Sequence, residues 1–555
     1  MPERIDALFI SFYSNMDRWH NDDGRDYVTP SLARTRGTLS ALSQDVWTKD
    51  EVDLVIDGKL YDFSRFMSWV RYGTTAEHSR YDVFNMTLLS GTYYLDFLHR
   101  HGFSARVANV ATRETLDVLR TEYDPRFILL STTLLFDAAE QDVVPIAVRQ
   151  IRRTWPDAVI VLGGLMLVSY EKNIPREGFR QMLRRYGADA YVVTPRGEGS
   201  LLALLERGSR EAILADPDIP RTYIVSKGEV FEPGSAPENG VDMEADYIRW
   251  SQLPQTGHLY HTVHLRTARS CAFSCAFCEY PINQGPLTLM PLEHVERELQ
   301  ELSKLKTVKS LVFTDDTFNV PLKRFKDLLK ILAKYDFEWY SFFRPQYADE
   351  ETARLMKEAH CRGVFAGLES VDDQVLQNMH KAAKADQYRR GIEQLKKQDI
   401  RVHANFIVGF PGETESSAMK IAPFVNELEI EFVTVVVWFY IPSTPIGSRA
   451  AEYGLEGMGI DWKHSTMTSE EAQRLARQVV LEQKFAVHNA VRGEAWTEFL
   501  FYANGFTVDE TRLAIRTFNE FHGRDVDESE IRSSNGYREL RSVLERREMV
   551  RPRGF

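Results

Sequence analysis

The 555-residue chain is 43% hydrophobic and 27% charged, the balance of a globular protein with room for about two to four domains. Its net charge of −12 argues against a general nucleic-acid binder, and no apolar run approaches the ~18 residues that span a bilayer. Four cysteines, three of them crowded between Cys271 and Cys278, exclude a disulfide framework and fit a reducing cytoplasm.

The N-terminus, Met1–Asp6, lacks the basic-then-apolar layout of a signal peptide, so a cytoplasmic location is expected. Ala7–Phe12 reads as a buried strand. Residues 13–85 read as an irregular insertion rich in Asp, Arg and aromatics, with a short hairpin around Val52–Gly58. Thr92–His99 is an amphipathic helix closed by Gly102. Ser104–Val110, Arg126–Thr132, Ala158–Gly164 and Ala188–Thr194 are apolar strands separated by helices. This alternation predicts an α/β fold, a doubly wound, Rossmann-like domain over residues 1–207 with ligands beyond the strands' carboxyl ends. Those ends carry Ser131-Thr132-Thr133, Gly163-Gly164 and Gly197-Glu198. Small residues there let a large or phosphate-bearing ligand approach the backbone. The plainer reading makes Gly163-Gly164 a turn and Gly197–Gly199 a helix start. Residues 208–260 read as a linker with a turn-rich centre at Glu232–Gly240.

A strand at His261–Thr267 then delivers the loop Cys271-Ala-Phe-Ser-Cys275-Ala-Phe-Cys278. Electron-transfer clusters are held by four thiolates, so three cysteines leave one iron open for a small molecule. On the loop alone, a zinc knuckle or a redox-sensing cluster is the other reading, although zinc normally takes four closed ligands. Strands at Ser310–Thr314, Phe337–Phe343, Gly363–Glu369, Arg401–Gly409 and Phe432–Tyr440 alternate with helices. About six β/α units over 261–455, short of the eight of a closed barrel, predict a partial barrel. Cys361 reads as a buried structural thiol. Residues 456–555 turn helical, with capping boxes at Thr468–Glu471 and Thr507–Glu510. They are expected to cover the barrel's open side or shape substrate access, with a structural appendage as the alternative.

The Cys271/Cys275/Cys278 spacing, with the aromatic Phe277, resembles the radical S-adenosylmethionine (SAM) superfamily. The resemblance implies a [4Fe-4S] cluster on the three cysteines and SAM on the open iron. Asp315-Asp316, after the second strand, stand where the superfamily often meets SAM's amino group; which Asp faces SAM is left open. Arg344 ends the third strand and suits SAM's carboxylate, or equally a structural ion pair. Glu369 and Ser370 occupy the ribose positions, and Ile407, Gly409 and Gly412 the adenine side, where glycine permits close backbone approach. The first domain resembles the cobalamin-binding domain of a large subgroup, with Ser131, Thr132, Thr133, Gly163, Gly164, Gly197 and Glu198 lining the corrin and its tail. Asp17-Arg-Trp-His20 followed by Gly24 has the wrong spacing for D-x-H-x-x-G, so base-off cobalamin without a His ligand is implied.

Val308–Lys326, Trp438–Ile446 and Trp462–Met467 resemble the radical SAM P-methyltransferase family of phosphinothricin biosynthesis. In that family one SAM methylates cob(I)alamin, and another yields the radical that takes hydrogen from the substrate before methyl transfer. The implied acceptor is an unactivated carbon or a phosphinate phosphorus of a natural-product intermediate, free or carrier-bound. Trp438, Tyr440, Trp462 and His464 are candidates for shaping the substrate cavity, with plain packing as the alternative. A flavodoxin- or ferredoxin-type electron donor is implied, and neither a nucleic-acid nor a membrane partner. Two rival readings are a cobalamin-dependent cyclisation or rearrangement without methyl transfer, and a non-catalytic cobalamin or iron–sulfur sensor. A complete SAM rim argues against the sensor.

Overall fold

The computed structural model describes residues 1–13, 54–83, 86–133, 143–234, 247–253, 261–489, 491, 495–522 and 524–550. Two seven-stranded sheets organise them. The first contains β1 (Glu3–Tyr13), β2 (Ala105–Ala111), β3 (Tyr123–Ser131), β4 (Val159–Gly163), β5 (Ala190–Val192), β6 (Thr222–Ser226) and β7 (Glu229–Phe231), in the order β2-β1-β3-β4-β5-β6-β7. β1 to β5 are parallel, and Phe127–Leu130 and Val159–Leu162 are buried throughout, as strands covered on both faces must be. The strand order reverses direction between β1 and β3, which opens a crevice at their carboxyl ends.

Two expectations need correction. The expected linker at 208–260 in part belongs to this sheet: β6 and β7 extend it antiparallel from β5. They turn at Lys227-Gly228, both at positive φ (48° and 81°), a hairpin turn hidden by the absence of Asn-Gly or Asp-Gly. The insertion is not irregular in its described part. A hairpin of Leu54–Ile56 and Lys59–Tyr61 leads to a helix at Phe63–Tyr72, capped by Asp62 and Gly73. Leu54–Ile56 pairs with Asp525–Val526, Phe63 and Phe66 pack on Phe518, and Trp69 packs on Tyr537. The aromatics that look unpatterned therefore build a core shared with the C-terminal helices.

The second sheet contains β8 (Thr262–Leu265), β9 (Ser310–Phe313), β10 (Glu338–Phe343), β11 (Cys361–Glu369), β12 (Arg401–Val408), β13 (Phe432–Val437) and the two-residue β14 (Val487–His488). All are parallel and neighbours in sequence order, a partial barrel of six β/α units plus one short strand. Along each strand, alternate side chains face the helices or the lumen. Phe342, Phe365, Asn405, Ile407 and Val436 are only half-buried, which marks an open upper lumen. Its amino-terminal end is filled by the helix Ala495–Ala503: Phe499 stacks on Tyr340 (4.4 Å between ring centres) and Trp496 meets His264 edge-on (4.7 Å). Glu498 Oε1 lies 2.7 Å from both His403 Nδ1 and Asn489 Nδ2. The tail is thus the floor of the barrel. The capping boxes at Thr468–Glu471 and Thr507–Glu510 both form. Among the described residues, no helix is long and apolar enough to cross a membrane.

Candidate active site

The cysteine loop leaves β8 and is pinned from three sides. Asp315 accepts from Thr267 N (2.6 Å), Thr267 Oγ1 (2.6 Å) and Ala268 N (3.0 Å). Ala276 N donates to Met379 O (2.8 Å), and Ile446 N donates to Ala276 O (2.9 Å). Asp315 is buried by these contacts, whereas Asp316 is exposed and its charge acts on Cys278. Asp315 is therefore a latch on the cysteine loop.

Cys271 Sγ lies 3.4 Å from Thr317 Oγ1, and Arg344 Nη2 lies 3.2 Å from Cys275 Sγ. Burial, then the charge of Cys275 and after it those of Asp316 and Cys271, pushes the Cys278 thiol up to about 12. Thiols that oppose one another's ionisation form a donor set that a cationic cluster neutralises, and so fit iron–sulfur ligation. Among the described residues, no three His, Cys, Asp or Glu side chains close on a single ion. A cubane is a larger body whose separate corners three thiols can take. Cys361 is a buried free thiol at the start of β11, far from these.

The rest of the rim differs from expectation in what holds it. Arg344 does not stand free for a carboxylate: besides Cys275 it donates to Lys381 O (2.7 Å) and lies over the Phe273 ring (3.5 Å). Glu369, at φ 66°, accepts from Lys381 Nζ (2.8 Å) and Asn405 Nδ2 (3.2 Å), with Ser370 buried beside it. Gly367 is needed here, because a Cβ would stand 2.6 Å from Glu369 Oε1. Phe277 packs edge-on against Phe410, and Ile407 faces the open lumen.

Gly409 (φ 97°) and Gly412 (φ 90°) do occupy the left-handed region that favours glycine. Their missing Cβ atoms leave room for protein, not for an open ligand surface: one would stand 2.5 Å from Trp462 and the other 2.3 Å from Asn378. Gly409→Ala should therefore cost about 2–4 kcal/mol of stability, read from thermal or urea unfolding. Trp438, Trp462 and His464 are packed behind this loop. His464 stacks on Trp462 at 5.1 Å and donates to Gly409 O (3.0 Å), and Trp462 Nε1 donates to Trp438 O (2.8 Å). Tyr440 is buried against Trp438. The four act as a buttress for the rim.

Glu413 completes the rim. Its Oε2 accepts from Gly409 N (2.5 Å), while its buried Oε1 has no partner among the described residues. Burial pushes this carboxyl up to about 8 from an ordinary 4.5. The folded chain then holds a proton that the unfolded chain has released, so stability falls as pH rises between those values. Glu413→Gln should flatten this decline in urea midpoints compared at about pH 5 and about pH 8.5; an unchanged slope would refute the assignment.

At the first sheet's carboxyl ends, Thr132 N and Oγ1 donate to Gly163 O (2.7 and 3.0 Å), and Ser131 Oγ accepts from Thr133 N (3.3 Å). Gly164 sits at φ 129°, where a Cβ would stand 2.7 Å from Thr133 N. Ser131, Thr132, Thr133, Gly163 and Gly164 are thus brought together at the strand ends, packed on one another with Thr132 as the internal tie. Gly197 and Glu198 depart from this picture. A Cβ on Gly197 would meet Val192 at 2.8 Å, and Glu198 is buried under the barrel. Glu198 Oε1 accepts from Arg269 Nη2 (2.6 Å) and Tyr93 Oη (3.0 Å). Glu198 is therefore a latch between the two sheets, and is not open to a corrin. Lys172 Nζ donates to Asn283 Oδ1 (2.6 Å) and Asn173 Nδ2 donates to Ser443 Oγ (3.0 Å) across the same seam, so the helix after β4 is tied to the segments that follow the cysteine loop and β13. His20 lies outside the described residues.

Residues 265–425 match the radical SAM superfamily model. Over that segment the chain is similar to the radical SAM superfamily. Over 234 residues it is 29% identical to an uncharacterized methyltransferase of Pyrococcus horikoshii, covering 39% of this chain and 50% of the relative. A ribosomal protein uS12 methylthiotransferase RimO of Alkaliphilus oremlandii is 26% identical, covering 44% of this chain and 58% of its own. The chain thus spans about half the length of these curated relatives. The radical SAM methyltransferase TsrM of Kitasatospora setae, solved with cobalamin and a [4Fe-4S] cluster, superposes with a TM-score of 0.58 at 16% identity, covering 77% of this chain and 96% of TsrM. Its complex with tryptophan and a SAM analogue gives 0.52 at 19% identity, covering 65% and 73%. The shared feature is the fold: an N-terminal Rossmann-like region followed by the partial barrel.

Several residues of the site carry no motif. Lys381, which neutralises Glu369, follows a short helix with no pattern to announce it. Asn405 shares the inward face of its strand with His403, and that alternation is the signal that could have found it. Arg266, Arg269 and Tyr280 flank the cysteine loop in sequence, and that proximity is the signal that could have found them.

Proposed function

We propose that the protein is a cobalamin-dependent radical SAM methyltransferase. Its acceptor is an unactivated carbon or a phosphinate phosphorus of a small natural-product intermediate, free or carrier-bound. The observation that carries this reading is the seam at Lys172–Asn283 and Asn173–Ser443, which ties the first domain to the region of the cysteine loop; in this reading the loop and the Ser131–Gly164 strand ends wall one chamber. The cobalamin and cluster bound by TsrM, a protein of the same fold, support it. When bound, SAM with its cluster supplies hydrogen-atom abstraction, and cobalamin supplies a methyl group.

The chain's part is placement and exclusion of water. Cys271, Cys275 and Cys278 hold the cluster, and Arg344 offsets charge at Cys275. Glu369 and Ser370, fixed by Lys381 and Asn405, orient the sugar of SAM, while Phe277, Ile407 and the Gly409–Gly412 loop wall its base. Asp316 is available to SAM's ammonium. The Ser131–Thr133 turn and Gly163-Gly164 accept cobalamin, base-off and without a His ligand. A flavodoxin- or ferredoxin-type protein delivers the electron.

Gel filtration after anaerobic loading with iron, sulfide and hydroxocobalamin tests this assignment. The cluster and cobalamin should elute with the chain in equimolar amounts; a cluster-loaded chain that retains no cobalamin overturns it.

A further inference from the structure

Two cations at the seam, Arg266 and Arg269, share the charge of one carboxylate, Glu198. Arg266 follows the last residue of β8. Val263 and Leu265 belong to the core shared with the helices while His264 meets Trp496 in the lumen, so the alternation, carried one residue past β8, puts Arg266 on the lumen side. Its guanidinium lies over the Tyr93 ring at 4.6 Å, at the seam where the first domain meets the barrel. Among the described residues it makes no ion pair or hydrogen bond. The acids around it are otherwise engaged. Glu198 is bound to Arg269 at 2.6 Å and Asp315 is tied to Thr267, while Asp316 lies beside Tyr280. Arg269, the second cation here, already has its carboxylate. A half-buried guanidinium beside another cation is unfavourable unless an anion joins it, and burial with the charge of Arg269 accordingly lowers its hold on its proton.

We propose that Arg266 binds an anionic group, carboxylate or phosphinate, carried by the methyl acceptor. The site thereby selects acidic substrates; this rests on the methyltransferase reading above. The planar fork of Arg pairs such groups through two donors, and Tyr93 fixes its plane. Position argues for the acceptor over the cofactors. The SAM sugar and base belong to β11 and β12, across the lumen, and the strand ends assigned to cobalamin are those of β3 and β4. Arg266 stands between them, with half-buried Phe342 on the lumen wall for an apolar body.

Equilibrium dialysis of the cluster- and cobalamin-loaded protein with SAM, without reductant, tests this with three probes: 3-phenylpropionate, phenylphosphinate and the uncharged 3-phenylpropionamide. The wild type should hold the anions about tenfold more tightly than the amide, the effect of one desolvated charged hydrogen-bond pair. Arg266→Gln should lose that discrimination and Arg266→Lys should keep part of it, both with unchanged SAM and cobalamin retention. Equal binding of acid and amide by the wild type overturns the proposal. So does loss of SAM or cobalamin in Arg266→Gln, which would assign the cation to a cofactor. If the chain retains no cobalamin at all, the methyltransferase reading falls instead, and the anion preference is still read on the cluster-loaded protein.

Discussion

Cys275→Ala is expected to reduce 5′-deoxyadenosine formation at least about a hundredfold, to the level of cluster-free protein. Cys275 is the most buried of the three loop cysteines, and its sulfur is the one in contact with Arg344. Its neighbour Ala276 carries both backbone bonds that tie the loop to Met379 and Ile446, and these survive the substitution. The variant should thus keep its fold while losing one corner of the cluster, with the visible absorbance of the reconstituted protein falling in parallel. Cys361→Ala is the matched control. That thiol sits in the core at the far end of β11, and its loss should cost only about 1–2 kcal/mol of stability with 5′-deoxyadenosine formation intact. Equal 5′-deoxyadenosine yields from wild type and Cys275→Ala would refute the cluster assignment.

Glu198→Gln carries the largest expected stability loss. The side chains of Arg269 and Glu198 are 6% and 2% exposed, and Tyr93 shares the carboxylate. Burial alone would favour the neutral acid, but the charge of Arg269 outweighs it and holds the Glu198 carboxyl below its ordinary value. Removing the charge leaves Arg269 buried and unpaired, at a cost of about 3–5 kcal/mol. Replacing both partners, Glu198→Leu with Arg269→Met, should cost less than Glu198→Gln alone, because no buried charge then remains. Because the native carboxyl is depressed, the pair's contribution is present at neutral pH and disappears as pH falls through its folded value. Urea unfolding of the single and double variants at neutral pH decides this. A single variant as stable as wild type would mean that the two sheets are joined by packing alone.

The legible parts of this protein are those written in local pattern. Apolar runs such as Phe127–Leu130 announce the first sheet, and the spacing of three cysteines announces the cluster loop. Glu198 is different. A Gly-Glu-Gly after a strand looks like ligand chemistry, and nothing nearby shows that Arg269 will claim the carboxylate. Distance in sequence hides the rest. Gly409 is required by Trp462, Glu369 is neutralised by Lys381, and the aromatics of the insertion meet partners at Phe518 and Tyr537. Local periodicity carries no information about such pairings, which only the closed fold brings together.

The central claim is that one chamber serves two uses of SAM. The most direct measurement is anaerobic turnover of the cluster- and cobalamin-loaded protein with SAM and a low-potential reductant, counting both SAM-derived products by mass spectrometry. The proposed chamber predicts 5′-deoxyadenosine together with S-adenosylhomocysteine, the latter requiring bound cobalamin. 5′-Deoxyadenosine with no S-adenosylhomocysteine, whether or not cobalamin is bound, would contradict methyl transfer.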